Sequence, residues 1–288
     1  MIVDAHHHIW DPVATRHAWL DATPALNRPF SLADLEETSA PEGVTASVLV
    51  QVLASSAETE QFLALAGPSE LVAGVVGWAD LTHPGVGDEI ARLRAGPGGD
   101  RLAGFRHLVQ DEPDPAWLER PDVRRGLRAV GAAGLAYDLL VRPGQLPAAL
   151  AVTSALGDVR FVLDHGAKPD IASGTLEPWA CMISELAARP NVWCKLSGLV
   201  TEAGPGWRPT EIRPYICRLL DTFGPGRLMF GSDWPVCTLA ASYAEVVALA
   251  REELARELAP AELRAVFSTN AVSVYRLGTS ASLCVREL

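Results

Sequence analysis

The chain has 288 residues, 49% hydrophobic and 20% charged, which excludes a disordered polypeptide and leaves enough apolar side chains for a sizeable core. A formal net charge of −11 speaks against electrostatic binding of nucleic acid or of an anionic membrane, while small substrates stay open. The length fits one α/β barrel as well as two smaller domains.

In chain order, apolar β-rich runs are expected at 1–9, 46–53, 71–79, 102–109, 135–141, 160–165, 191–197 and 227–233. Helical patterns are expected between them at 56–66, 86–93, 122–132, 146–156, 177–188, 212–223 and 242–254. Strand and helix alternate, which predicts parallel βαβ units. Eight such units at roughly thirty-residue spacing suit a closed (β/α)8 barrel better than an open doubly wound sheet. The barrel is assigned to residues 1–278, with 279–288 as a C-terminal tail. Long loops follow the first run, with Trp10, Asp11, Pro12, Trp19, Pro24 and Pro29, and the seventh, at 201–209, and loops of that kind often cap a site. Five cysteines without a CxxC indicate neither a disulfide framework nor a thiolate zinc site. No signal peptide and no apolar run of about 18 residues is recognisable, so the chain reads as cytoplasmic.

The chemistry gathers at the strand ends. Asp4-Ala5-His6-His7-His8 closes the first run, and alternation puts His6 and His8 on one face with His7 on the other. Two imidazoles projecting into one space can hold a metal or polarise a carbonyl. A His-rich surface turn is the bland alternative. His165 ends the sixth run and Asp233 the eighth, at the same mouth, although Asp233 also suits a helix N-cap. Together the four make a nitrogen–oxygen site suited to Zn²⁺, or a metal-free set of base and electrophiles.

Arg106 and His107 end the fourth run, and regular alternation lets one of them face inward unless a bulge presents both. Arginine suits a bidentate grip on a carboxylate or an oxyanion, or else a structural ion pair. Tyr137 and Asp138 pose the same facing problem on the fifth run. Lys168 follows His165 by three residues, and Lys195 shares a face of the seventh run with Ser197. A lysine inside an apolar strand must be paired or reach the mouth. Trp10, Trp78 and Trp234 offer apolar walls for a ring-shaped ligand, and each is as easily core. No GxGxxG after a strand, no GxxxxGK[ST] and no GxSxG occurs, and a cysteine nucleophile has weak support.

Six segments then carry a resemblance: DAHHHIWDP (4–12), GFRHLVQDEPD (104–114), YDLLV (137–141), FVLDHGAKPDI (161–171), NVWCKLSGLVTEA (191–203) and RLMFGSDWPVC (227–237). In this order, over nearly the whole chain, they resemble the amidohydrolase superfamily, in its amidohydrolase-related branch of sugar and aromatic-acid lactonases, most of all the L-fuconolactonase-like sugar lactonases. The resemblance matches His6 and His8 to the first-strand metal-ligand motif, His165 to the strand-six histidine and Asp233 to the strand-eight aspartate. The chain departs from binuclear members in two places. Arg106-His107 stands where a bridging lysine or glutamate is frequent, and Tyr137-Asp138 stands where a metal-binding histidine is usual. Both departures imply one Zn²⁺ or another divalent ion, or none, and not two.

The implied reaction opens a small-molecule sugar-acid lactone by water attack. Asp233 is the general base, and His6, His8 and His165 are the electrophilic or mononuclear metal site. Arg106, His107, Tyr137, Asp138, Lys168, Trp10, Trp78 and Trp234 are the candidates for orienting substrate. The alternatives are a metal-dependent decarboxylase of an aromatic acid, a hydrolase of an aromatic dicarboxylate lactone, or a silent sugar-acid binder on the same barrel. A homo-oligomer is compatible with all of them.

Overall fold

A computed structural model describes residues 1–278, so the expected tail at 279–288 lies outside the described residues. Strands and helices alternate along the chain: β1 (Ile2–His7), α1 (Leu32–Ser39), β2 (Val44–Val50), α2 (Ser56–Ala66), β3 (Val72–Gly77), α3 (Val86–Ala95), β4 (Leu102–His107), α4 (Pro121–Ala132) and β5 (Ala136–Leu139). There follow α5 (Leu146–Ala155), β6 (Arg160–Leu163), α6 (Trp179–Ala187), β7 (Val192–Leu196), α7 (Leu199–Ala203), α8 (Pro209–Phe223), β8 (Leu228–Phe230), α9 (Tyr243–Leu254), α10 (Pro260–Arg264) and α11 (Asn270–Tyr275). All neighbouring strands pair in parallel in the order β1 to β8. Helices cover the outside, so the strands are apolar on both faces, as in the fully buried β3 sequence VAGVVG. The ring is drawn together beyond β8, where the amide of His8 donates to the Trp234 carbonyl at 2.7 Å and that of Asp233 to the His6 carbonyl at 2.8 Å. This is the expected (β/α)8 barrel.

The seven expected helices are present within about three residues at each end, and 56–66 coincides with α2. Every strand is shorter than its expected run, β8 most of all. β6 stops at Leu163 and β8 at Phe230, because His165 (φ 55°) and Asp233 (φ 58°) have left the extended conformation. The long first loop also contains α1, started by a reciprocal cap between Ser31 and Asp34. Among the described residues no helix is long and apolar enough to cross a membrane.

Two apolar layers flank the sheet. Large residues such as Phe105, Phe161 and Phe230 fill the space between strands and helices. The barrel interior is lined by small ones, among them Ala5, Ala46, Ala73, Ala103 and Ala136, with Val48, Val76 and Val162. Alanines leave a shaft that the strands cannot fill. A later segment of the chain fills it, as Ala271, Val274, Tyr275 and Leu277 pack into this layer. A Cβ on Gly74 would stand 2.6 Å from Leu277 Cδ2, so the glycine admits that side chain. Gly74, Ala103 and Leu228, which meet this segment, lie at or near strand starts, so it stoppers the end of the barrel opposite the strand tips.

Candidate active site

The strand ends bring His6, His8, His165 and Asp233 to one point. His6 and His8 leave β1 on the same side, with Nε2 atoms 3.1 Å apart, while His7 turns away to Ser47. His8 Nδ1 donates to the Val50 carbonyl at 2.8 Å, which leaves the Nε2 lone pair free. Asp233 Oδ1 lies 3.7 Å from His6 Nε2, 3.6 Å from His8 Nε2 and 3.9 Å from His165 Nε2. The left-handed turn from His165 to Lys168 swings the His165 ring inward, where Nδ1 shares a 2.8 Å hydrogen bond with Ser197 Oγ. Left-handed backbone at two non-glycine site residues is the strain expected where placement of a side chain outweighs local preference.

Close packing holds this point in place. A Cβ on Gly231 would meet His6 Cβ at 2.7 Å, so only glycine lets β8 approach β1 here. Asp4 then pins the junction. Its carboxylate accepts from the amides of His6 (3.1 Å) and Ser232 (2.8 Å) and from the hydroxyls of Ser232 (2.6 Å) and Tyr243 (2.9 Å). Exposure is 0% for His6 and 3–5% for His8, His165 and Asp233, so the four side chains are almost wholly buried.

A layer of buried charge lies beneath. Arg106 Nη1 donates to Asp164 Oδ2 (3.0 Å) and stands 3.3 Å from His6 Nε2. Its Nε and Nη2 donate to the Gln51 side chain (2.9 Å) and carbonyl (2.5 Å). Lys195 Nζ meets Asp138 Oδ2 (2.5 Å), Asp164 Oδ1 (3.0 Å) and His6 Nδ1 (3.0 Å). Burial and then the Lys195 ammonium press the His6 pKa far below the ordinary histidine value, with Asp164 opposing. Burial brings His165 down to about 4 and also lowers His8, so the rings are neutral donors near pH 7. Burial alone would raise Asp164, but Lys195, His6 and Arg106 outweigh it and hold the carboxyl well below the usual range. At Asp233 burial is likewise overcome by the surrounding His165, His8 and His6 rings, and the carboxylate stays ionised.

The donor set fits one divalent metal ion. Tetrahedral zinc with nitrogen and oxygen ligands near 2.0–2.2 Å places its ligand atoms about 3.3–3.5 Å apart. Donor atoms of His6, His165 and Asp233 lie within 4.8 Å of one another, and His8 Nε2 stands beside them, 3.1 Å from His6 Nε2 and 3.6 Å from Asp233 Oδ1. The outer partners are also in place: Val50 for His8, Ser197 for His165, and for His6 the buried Asp164 Oδ1, which lacks a well-aligned hydrogen bond 3.4 Å from Nδ1.

Other expected site residues land elsewhere. Arg106 faces inward and His107 does not. His107 receives the Trp78 indole N–H at 3.0 Å, pairs with Glu112 at 2.7 Å and stacks on Trp117. Tyr137 is corrected outright: it is completely buried in the layer between sheet and helices against Phe161, away from any substrate. Its neighbour Asp138 faces the barrel axis yet is also completely buried, bonded to Lys195 and Tyr275, so it supports the site from below instead of touching substrate. Register decides both, since successive strand residues face opposite ways. Lys168 stands 3.5 Å from Glu202, partly exposed. Trp10 and Trp234 are buried on either side of Phe30 in an aromatic cluster, and Trp10 borders a separate cavity of about 530 Å³ with Leu53, Glu58 and Phe62. Sequence reasoning passed over Asp4, Gln51, Asp164 and Tyr275. Asp164 precedes His165 directly, and an acidic residue inside an apolar run was the available signal.

Comparison with known proteins agrees with this geometry. The sequence profile described as Amidohydrolase matches residues 3–277. An L-fucono-1,5-lactonase of Burkholderia ambifaria is 40% identical over 279 residues, covering 96% of this chain and 95% of that protein. An L-fucono-1,5-lactonase of Burkholderia multivorans is 39% identical over 287 residues, covering 96% of each. A crystal structure of an amidohydrolase from Burkholderia multivorans with bound zinc superposes with a TM-score of 0.91 at 38% identity, covering 96% of this chain and 100% of that one. A barrel with His6, His8, His165 and Asp233 at its mouth, matched over nearly its full length, places this chain in the amidohydrolase family.

Proposed function

We propose that the protein is a lactonase that opens a sugar-acid lactone of the L-fucono-1,5-lactone class. One observation carries the reading: His6, His8, His165 and Asp233 converge at the strand ends in a chain about 40% identical to proteins named L-fucono-1,5-lactonase. The lactone enters with its carbonyl toward the three histidines. Asp233 Oδ1 takes a proton from a water, whose oxygen attacks the carbonyl carbon. The negative charge that develops on the carbonyl oxygen is stabilised by the floor, where Arg106 is held rigid by Gln51 and Asp164. The ring C–O bond breaks, and Asp233 returns its proton to the departing alkoxide, giving the open hydroxy acid. Lys168 at the rim orients the sugar hydroxyls.

We assign a single zinc ion to His6, His8, His165 and Asp233; when bound it supplies Lewis acidity, which makes a nearby water acidic enough for a carboxylate as weakly basic as Asp233. The residues themselves orient that water, exclude bulk solvent and carry the proton.

The test is proton release from L-fucono-, L-rhamnono- and D-galactono-lactones by zinc-loaded protein, beside Asp233→Asn. Turnover well above the spontaneous rate, falling about 10²–10⁴-fold in a folded Asp233→Asn protein, is the expected result. Normal activity in that variant would remove Asp233 from the mechanism. Carbon dioxide release from an aromatic acid, with no lactone opened, would make the protein a decarboxylase.

A further inference from the structure

The stopper at the closed end of the barrel is wired to the active site through the hydroxyl of Tyr275. Tyr275 ends α11 with its ring among alanines and valines of the barrel interior. Its hydroxyl lies 2.8 Å from Asp138 Oδ1 and 2.9 Å from Oδ2, and has no other partner among the described residues. A phenylalanine would fill the same shaft without burying a hydroxyl, which costs free energy unless the bond it makes matters. Asp138 passes the constraint on. Its Oδ2 holds Lys195 Nζ at 2.5 Å, and the ammonium also lies 5.4 Å from the Tyr275 ring centre. Lys195 Nζ donates to Asp138, stands 3.0 Å from Asp164 Oδ1 and packs 3.0 Å from His6 Nδ1, whose proton faces Asp164 Oδ1 when Nε2 serves as the ligand atom. The ammonium is thus wedged between the Asp138 carboxylate and the His6 ring. The line from Tyr275 to His6 therefore has three links, all completely buried apart from the 2% exposure of Tyr275.

We infer that Tyr275 is a positioning residue for the active site: through Asp138 and Lys195 it fixes the orientation of the His6 ring, so the C-terminal stopper belongs to the catalytic apparatus. The inference rests on His6 being a site residue, as proposed above. Without the hydroxyl, Asp138 turns about its own axis, Lys195 follows its stronger partner, and the contact with His6 Nδ1 loosens. The stopper itself stays in place, because Phe fills the same volume.

The experiment compares wild type with Tyr275→Phe as metal-stripped, ¹⁵N-histidine-labelled protein. The His6 ring signals are identified by their loss in His6→Gln. In Tyr275→Phe the His6 nitrogen signals move while those of the remote His83 stay. The kcat on the best lactone falls about 10-fold, the lower bound for removing an outer partner of a ligand histidine, with KM within about twofold. Unchanged His6 signals in a folded Tyr275→Phe protein overturn the inference and leave Tyr275 as packing alone. Should that variant not fold, Asp138→Asn is read by the same signals, and failure of both to fold equally reduces the chain of contacts to a structural one. The ring signals need neither substrate nor metal. A wild type that opens no lactone therefore counts against the proposed function, while the signals still decide the role of Tyr275.

Discussion

Glu58 offers a test of how the arginine on the site floor is held. Its Oε2 accepts from the amides of Val52 (2.8 Å) and Leu53 (2.9 Å), the residues just after Gln51, which in turn grips Arg106. The side chain is 93% buried beside an apolar cavity, and burial pushes its pKa from an ordinary 4.5 up to about 7, with the two amides and Arg106 opposing. The unfolded chain therefore loses this proton first as pH rises. Between pH 4.5 and 7 the native state binds more protons, so the stability contributed by protonated Glu58 is lost across that window and stays lost above it. A shift of that size corresponds to about 3 kcal/mol in total. Roughly 2 kcal/mol of it falls above pH 5.5, clear of the isoelectric point near 5.1. Glu58→Gln keeps an oxygen for both amides and has no proton to lose. Relative to wild type, its melting midpoint should rise by roughly 5 °C between pH 5.5 and 8. Differential scanning fluorimetry of both proteins across that range measures it. Parallel curves with a constant offset would refute the reasoning, because they would mean that Glu58 titrates alike in the folded and unfolded chain.

Three further outcomes are expected. Gly231→Ala drives a Cβ to 2.7 Å from His6 Cβ, so it should cost about 1–3 kcal/mol in urea unfolding and most of the turnover, whereas Gly226→Ala, with open space around it, should change neither. Lys195→Met strips the cation from Asp138 and Asp164 and should cost about 3–5 kcal/mol. Adding Asp138→Asn should recover part of that, and a double variant as unstable as the sum of the singles would count against the pairing. Zinc at a hundredfold excess over its Kd should stabilise chelator-stripped protein by about 2.7 kcal/mol, read as a midpoint shift that shrinks in His8→Gln. A midpoint indifferent to zinc in wild type would point to a metal-free set of electrophiles.

The barrel was legible in the sequence because each of its units is local. Apolar runs and amphipathic stretches alternate, and α2 coincides with its expected span. His6, His8, His165 and Asp233 were legible for the same reason: each sits at the end of an apolar run, and in a parallel barrel those ends share one mouth. Periodicity could narrow Arg106 or His107, and Tyr137 or Asp138, to one inward residue of each pair, but which one depends on the register of a strand against its neighbours. The strained turns at His165 and Asp233 left no trace in the pattern either, since they run against local preference and are held from elsewhere in the chain, His165 by the close approach of Gly198 and Asp233 by its amide bond to the His6 carbonyl.

The charge network under the site was decided by tertiary structure alone. Lys195 meets His6 across 189 residues, and Tyr275 meets Asp138 across 137. Composition and alternation show that a buried lysine must find a partner, but they cannot name it. The partner is whichever carboxylate the closed ring brings within about 3 Å, and ring closure is a property of all eight strands together.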